Sequence, residues 1–253
     1  MSNKSSIQVI DRMALLLNIL ARYDDAVSLK ILSAESELHP STTFRILSSL
    51  IEHQIVERDE AGLYRLGIKL LHLGSRVRQH GGLRHLAKPI MNKLRDELGE
   101  TINLTVREND EIVYVERSIS SRMMRVEQVI GSRAPLHVTA VGKLMLAELG
   151  EQWCREYADR SSLSAYTENT ISEIDTLISK TKLSHRNGFA YDDEEAEKGV
   201  GCIGVLIYNN SGDVAGGLSL SAPIERRKEE WVPIVIEAGK RLSESLGYFG
   251  YYQ

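Results

Sequence analysis

Residues 188–221 read GFAYDDEEAEKGVGCIGVLIYNNSGDVAGGLSLS. An acidic segment leads into a β-branched, apolar run from Val200 to Tyr208 that glycines bound on its N-terminal side. Asn209, Asn210, Ser211, Gly212 and Asp213 supply turn chemistry, and a second run continues from Val214 to Ser221, so the pattern predicts a β-hairpin. Side chains of a strand alternate between faces, which puts Ser219 and Ser221 on one side and Leu218 and Leu220 on the other. Cys202 falls on the partner strand and Asp192 closes the segment before it. A thiol, two hydroxyls and a carboxylate are therefore expected around one small pocket.

The same residues carry a resemblance to the IclR-type transcriptional regulators. Gly188 is followed four places on by Asp192 and then by Glu195; after a gap of six come Cys202, Ile203 and Gly204, and the run ends in Ile207, Tyr208 and Asn209. Each place of the family's pattern is filled. The resemblance implies an α+β chain with an N-terminal winged helix-turn-helix, a linker helix and a C-terminal GAF-like effector-binding domain built on an antiparallel sheet.

Length and composition agree with two modest domains. The 253 residues are 42% apolar and 26% charged, an ordinary soluble globular balance. No apolar run approaches the roughly eighteen residues that span a bilayer, and the opening MSNKSS lacks the apolar core of a signal peptide. The expected location is cytoplasmic, with no membrane partner, and there Cys154 and Cys202 are expected to be free thiols. A net charge of −4, with seven Lys and Arg against nine Asp and Glu in residues 1–66, excludes a basic coat for nucleic acid. Any DNA binding must rest on pattern.

That pattern is present. Ile10, Met13, Leu17 and Leu20 recur at helical spacing, predicting a helix over 6–23 with those residues as its buried stripe. Ser28 is placed to cap a short helix through Ser36, and a tight Glu37, Leu38, His39 turn leads into a helix from Pro40 to about His53. On that helix Thr43, Ile46, Leu47, Leu50 and Ile51 face the core, while Ser41, Arg45, Ser48 and Glu52 face out, flanked by Thr42 and Phe44. Hydroxyls suit phosphates, Arg45 suits a guanine edge or a phosphate, and Phe44 suits a thymine methyl. Residues 55–58 and 63–66 predict a wing hairpin with Arg58 and Arg65 at its base, where a phosphate would pass. The whole stretch resembles the family's DNA-binding domain, with Leu38, Ser41, Thr42, Arg45 and Leu47 matching the recognition helix. Phe44 departs from the His or Gln common there, so no base preference carries over.

These readings divide the chain into a DNA-binding domain over 1–67, a linker helix over 68–82 and an effector domain over 83–253. Leu70, Leu73 and Val77 form an apolar seam on the linker, which the resemblance implies is part of a dimer contact in a homodimer or homotetramer; packing against its own chain is the alternative. Beyond it, a helix is expected from Leu83 to Leu98, kinked or started at Pro89 and ended by Gly99. Strands are expected over 101–107 and 111–116, and helices over 150–159, 172–185 and 228–246. The aromatic tail 248–252 receives no function.

Residues 135–146, PLHVTAVGKLML, read as a turn into a helix whose small start leaves main-chain amides open to an anion. By resemblance the effector contacts are the amides of Ala140 and Val141 with the side chains of Asp192, Cys202, Ser219 and Ser221. Amides and hydroxyls together favour a small carboxylate, such as a keto, sugar or aromatic acid. Rival readings are an enzyme using Cys202 and Asp192, with His137 or His185 as base, and a DNA-binding scaffold that senses nothing. No catalytic motif is recognisable, so none is assigned. Asp193, Glu194, Glu195 and Glu197 read as a solvated acidic turn, and neither their spacing nor that of the histidines makes a metal site or calls for a cofactor. Gly199, Gly201 and Gly204 are expected within a strand, not a phosphate loop.

Overall fold

The computed structural model describes residues 7–74 and 82–250, which fall into two compact units at the break between them. The first is a three-helix domain with a wing. Helix α1 (Gln8–Leu20) packs with α2 (Leu29–Ser36) and α3 (Pro40–Glu52), and strands β1 (Val56–Arg58) and β2 (Tyr64–Leu66) form an antiparallel hairpin. Ser28 Oγ accepts the Ile31 amide to start α2, and Glu37, in the left-handed region at φ 54°, ends it. Such a residue stops a helix because its N–H turns back while its carbonyl leaves the helix axis.

The stripe of α1 differs from expectation. Leu16, Ile19 and Leu20 are the buried residues, Met13 and Leu17 lie at the margin, and Ile10 is exposed. Helical spacing alone admits either stripe; the choice is made by where Leu32, Leu47, Leu50, Val56 and Tyr64 close the core. The wing is also corrected in detail. Arg58 opens the hairpin turn, where it pairs across with Tyr64, and is not at the base. Helix α4 (Ile68–Gly74) follows the wing, and Ile68 and Leu73 on it are exposed. Val77 of the expected seam lies outside the described residues.

The second unit is a six-stranded antiparallel sheet in the order β5-β4-β3-β8-β7-β6. Its strands are β3 (Thr101–Glu108), β4 (Glu111–Ser118), β5 (Arg133–Pro135), β6 (Ala190–Asp193), β7 (Val200–Tyr208) and β8 (Val214–Pro223). One face carries α5 (Leu83–Leu98) and α9 (Val232–Ser245), which bury Met91, Leu94, Val235 and Leu242 against Ile102, Leu104, Leu218 and Leu220. Helix α5 starts at Leu83, runs through Pro89 and is capped by Gly99, so the proline lies inside the helix and does not start it. Pro89 is the seventh residue of that helix, and an apolar face buried along its length holds it together across the missing N–H.

The opposite face carries α6 (Ala140–Leu149), with α7 (Glu151–Ser161) and α8 (Ile174–Asn187) outside it. Every residue of α6 from Ala140 to Leu146 is buried. Edge strand β5 and the irregular segment 119–132 had no counterpart in the sequence reading. Gly199 stands in the turn before β7, not within the strand, at φ 83°. Among the described residues, no helix is long and apolar enough to cross a membrane.

Candidate functional site

In the first unit, α3 presents Ser41, Phe44 and Arg45 to solvent, with Thr42 and Ser48 half-buried at the margins. Pro40 and the His39 cap fix the start of the helix, and Ser41 Oγ lies 2.8 Å from His39 Nδ1. Thr42 and Arg45 also edge a groove shared with Ile10 and Met13 of α1. On the wing, Arg65 donates from Nε and Nη2 to Glu57 Oε2 at 3.1 and 3.0 Å. Glu57 Oε1 accepts the Ile68 amide at 3.3 Å, and this bond, followed by Arg65, holds the Glu57 carboxyl below the usual carboxylate range. Arg58 donates to the Gly62 carbonyl, and its guanidinium lies 5.3 Å from the Tyr64 ring centre. The sequence reading missed that an intramolecular carboxylate engages Arg65.

In the second unit, the register brings the expected pocket residues together. Asp192 pairs with Cys202 across β6 and β7, Cys202 with Ser221 across β7 and β8, and Gly204 with Ser219. Directly opposed residues share a face, so the thiol, the carboxyl and both hydroxyls stand on the side that α6 covers. Cys202 Sγ is 3.3 Å from Ser221 Oγ. All four residues are buried.

Helix α6 begins directly over this face. Thr139 caps it, its Oγ1 accepting the Gly142 amide at 3.1 Å and its carbonyl the Lys143 amide at 3.0 Å. Ala140 and Val141 are the first two helical residues, whose N–H groups have no acceptor within the helix. Gly204 and Gly217 make this approach possible. A Cβ on Gly204 would stand 2.8 Å from the Val141 nitrogen, and one on Gly217 would stand 2.0 Å from Val141 Cγ1. Two donors at a helix start, set over buried hydroxyls, suit a small anion with further polar groups.

Burial governs the titration of this site. It pushes the Asp192 carboxyl up to about 6, although the Glu195 amide donates to Oδ1 at 2.8 Å and Lys143 stands nearby. Burial, then Asp192, raises the Cys202 thiol well above its ordinary value. A thiol so placed is not a nucleophile at neutral pH. The bases proposed for it are engaged elsewhere: His137 lies 2.7 Å from the Tyr157 hydroxyl and His185 3.2 Å from Glu148.

Several residues of this face were not singled out by the sequence. Asn103 of β3 pairs in register with Ser219 and donates to Ser221 Oγ and Gln128 Oε1, both at 3.1 Å. Tyr114 of β4 joins the same side, packed with the α6 core. Glu195, read as part of a solvated turn, is buried and forms an ion pair with buried Lys143 of α6. Alternation along Thr101, Asn103 and Thr105 was a signal for Asn103; Lys143 within an apolar helix was the clearest sign of a buried partner. The described residues contain no cluster of His, Cys, Asp and Glu that would hold a metal ion.

Residues 76–246 match the bacterial transcriptional regulator IclR C-terminal domain, and residues 9–60 match the IclR helix-turn-helix domain. The HTH-type transcriptional regulator KipR of Bacillus subtilis is 29% identical, covering 98% of this chain and all of KipR. An IclR-type transcriptional regulator from Silicibacter sp. TM1040 shares the fold at a TM-score of 0.84 and 22% identity, over 98% of this chain and 100% of that one. An IclR homologue from Microbacterium hydrocarbonoxydans, solved with 4-hydroxybenzoate, has a TM-score of 0.61 and 24% identity over 94% of this chain and 98% of that one. Similarity over nearly the full length is to regulators, not enzymes. The chain belongs to the IclR family of DNA-binding transcriptional regulators.

Proposed function

We propose that this regulator binds its operator through Ser41, Thr42, Phe44, Arg45 and Ser48 of α3 with Arg58 and Arg65 of the wing, and that a small organic acid sets its affinity for that DNA. The acid is held by the Ala140 and Val141 amides and by Asp192, Cys202, Ser219 and Ser221. The observation that carries the reading is the start of α6 seated over Gly204, where the Ala140 and Val141 amides have no acceptor within the helix, beside two buried serines. Keto, sugar and aromatic acids all offer the anion that such a site favours, and the 4-hydroxybenzoate held by the Microbacterium homologue is an acid of this kind. The protein acts in the cytoplasm, where its operator is.

A homodimer or homotetramer fits this function. Two copies present two recognition helices to the half-sites of a near-palindrome. The exposed Ile68 and Leu73 of α4 give a second copy an apolar surface to cover. The acid changes DNA affinity by favouring one arrangement of the paired domains, and both repression and activation are compatible with that device.

The test is a thermal-unfolding screen of the full chain against small carboxylic acids, repeated with Ser219→Ala. An acid present at 100 times its dissociation constant should add about 2.7 kcal/mol of stability. The gain should shrink in the variant. Equal shifts in both proteins would remove Ser219 from the site.

A further inference from the structure

Asn103 holds a polar atom that the site as described leaves unused. The residue is fully buried on the ligand side of the sheet. Its amide nitrogen is committed twice, to Gln128 Oε1 and Ser221 Oγ, each at 3.1 Å. That commitment orients the amide, and its Oδ1, also buried, has no hydrogen-bond partner. A buried acceptor without a donor weakens binding or stability about tenfold or more, so native structures seldom leave one unserved.

The register locates this acceptor relative to the anion site. Gly204, Ser219 and Asn103 form one row across β7, β8 and β3, and the Val141 amide lies over Gly204 at the far end of that row. Adjacent strands are spaced by about 4.8 Å, so roughly 10 Å of sheet separates the backbone of Gly204 from that of Asn103. The Asn103 side chain extends over part of that span, to Ser221 on β8. A carboxylate at the Ala140 and Val141 amides therefore leaves room for only a short bridge of about two or three atoms to the Asn103 carbonyl.

We propose that Asn103 is a specificity-determining residue of the ligand site, whose Oδ1 accepts a hydrogen bond from a hydroxyl on the bound acid. The inference rests on the organic-acid reading of this face and narrows it to 2- and 3-hydroxy acids. An oxo group in the same place sets one acceptor against another. An ammonium is the poorer occupant, because the amide oxygen carries no net charge to balance it.

The experiment is calorimetric titration of the full chain with matched pairs: lactate and pyruvate, 2-hydroxybutyrate and 2-oxobutyrate, 3-hydroxybutyrate and acetoacetate, with alanine as the amine probe. In at least one pair the wild type should bind the hydroxy acid about tenfold or more tightly than the oxo acid, the scale on which sites built for a hydroxyl reject its absence. Asn103→Leu should bring that ratio to within about twofold, with the larger loss falling on the hydroxy acid. A general loss of packing would weaken both acids and leave the ratio in place. If Asn103→Leu does not fold, Gln128→Leu, which removes one of the two acceptors that orient the amide, should lower the ratio instead. Oxo acids or alanine binding as tightly as their hydroxy counterparts would overturn the assignment and leave the acid-binding reading standing, as would a ratio unmoved by either substitution. Failure of every acid to bind would overturn that reading, and this inference with it.

Discussion

Lys143 of α6 and Glu195 of the turn after β6 form an ion pair with both side chains buried, joining the helix that starts at the ligand site to the strand that carries Asp192. Removing one partner strands the other in a medium of low polarity, which costs about 3–5 kcal/mol, whereas replacing both with apolar residues of similar volume is far better tolerated. Lys143→Met alone should therefore lower stability to denaturant by several kcal/mol, and Lys143→Met with Glu195→Leu should recover most of it. A single substitution without effect would mean that the charge is solvated.

Asp192 makes stability depend on pH. Its folded-state value of about 6 lies above the ordinary carboxylate value of 3.8, so the folded protein binds this proton more tightly than the unfolded chain does. The resulting stability is fully present below pH 3.8 and is lost as pH rises through about 6. The difference amounts to about 3 kcal/mol at most. Asp192→Asn keeps an oxygen for the Glu195 amide and carries no charge, so it should be more stable than wild type at pH 8. Urea titrations of both proteins at pH 4, 6 and 8 check the sign. A wild type that gains on the variant as pH rises would contradict it.

Gly217 bears on the seating of α6. A Cβ there would fall 2.0 Å from Val141 Cγ1, and Val141 is itself buried and part of the helix start. Gly217→Ala should cost about 1–3 kcal/mol by overpacking and weaken acid binding by displacing the amides. The companion Val141→Ala should relieve the clash. Should the double variant be no better than Gly217→Ala, the contact is not where the strain arises.

For DNA, Arg45→Ala should weaken operator binding by at least about 1 kcal/mol, measured by fluorescence anisotropy on a duplex selected for tight binding. Glu57→Gln should act in the opposite sense. It retains an acceptor for the Ile68 amide and releases Arg65 from an ion pair that competes with phosphate, so affinity should rise and its salt dependence steepen. Unchanged affinity and salt slope in Glu57→Gln would place Arg65 away from the duplex.

Much of this was legible in the sequence. The hairpin at 200–223 follows from two apolar runs joined by turn residues, whereas the pairing of Cys202 with Ser221 depends on a register shift between Ile207 and Tyr208 that the turn does not announce. The winged domain was legible because caps and turns announce themselves, Ser28 and Pro40 above all. What escaped depends on contacts between segments distant in the chain. A bulge at Leu104 and Thr105 resets which residues of β4 face the ligand side, and nothing local marks it. Glu195 reads as solvent-exposed until α6 brings Lys143 to it, 52 residues away in the chain. The stripe of α1 was misassigned for the same reason: several helical registers look alike until the rest of the core selects one.

An acid held beneath α6 is expected to alter DNA binding. The direct measurement is the affinity of the full chain for a selected operator duplex, with and without a saturating acid found by the thermal screen, in wild type and in Ser219→Ala. Coupling between sites is typically about 1–3 kcal/mol, so the acid should shift the dissociation constant of the wild type by about fivefold or more, in either direction, and much less in the variant. An acid that stabilises the protein yet leaves its affinity for DNA the same would contradict the account.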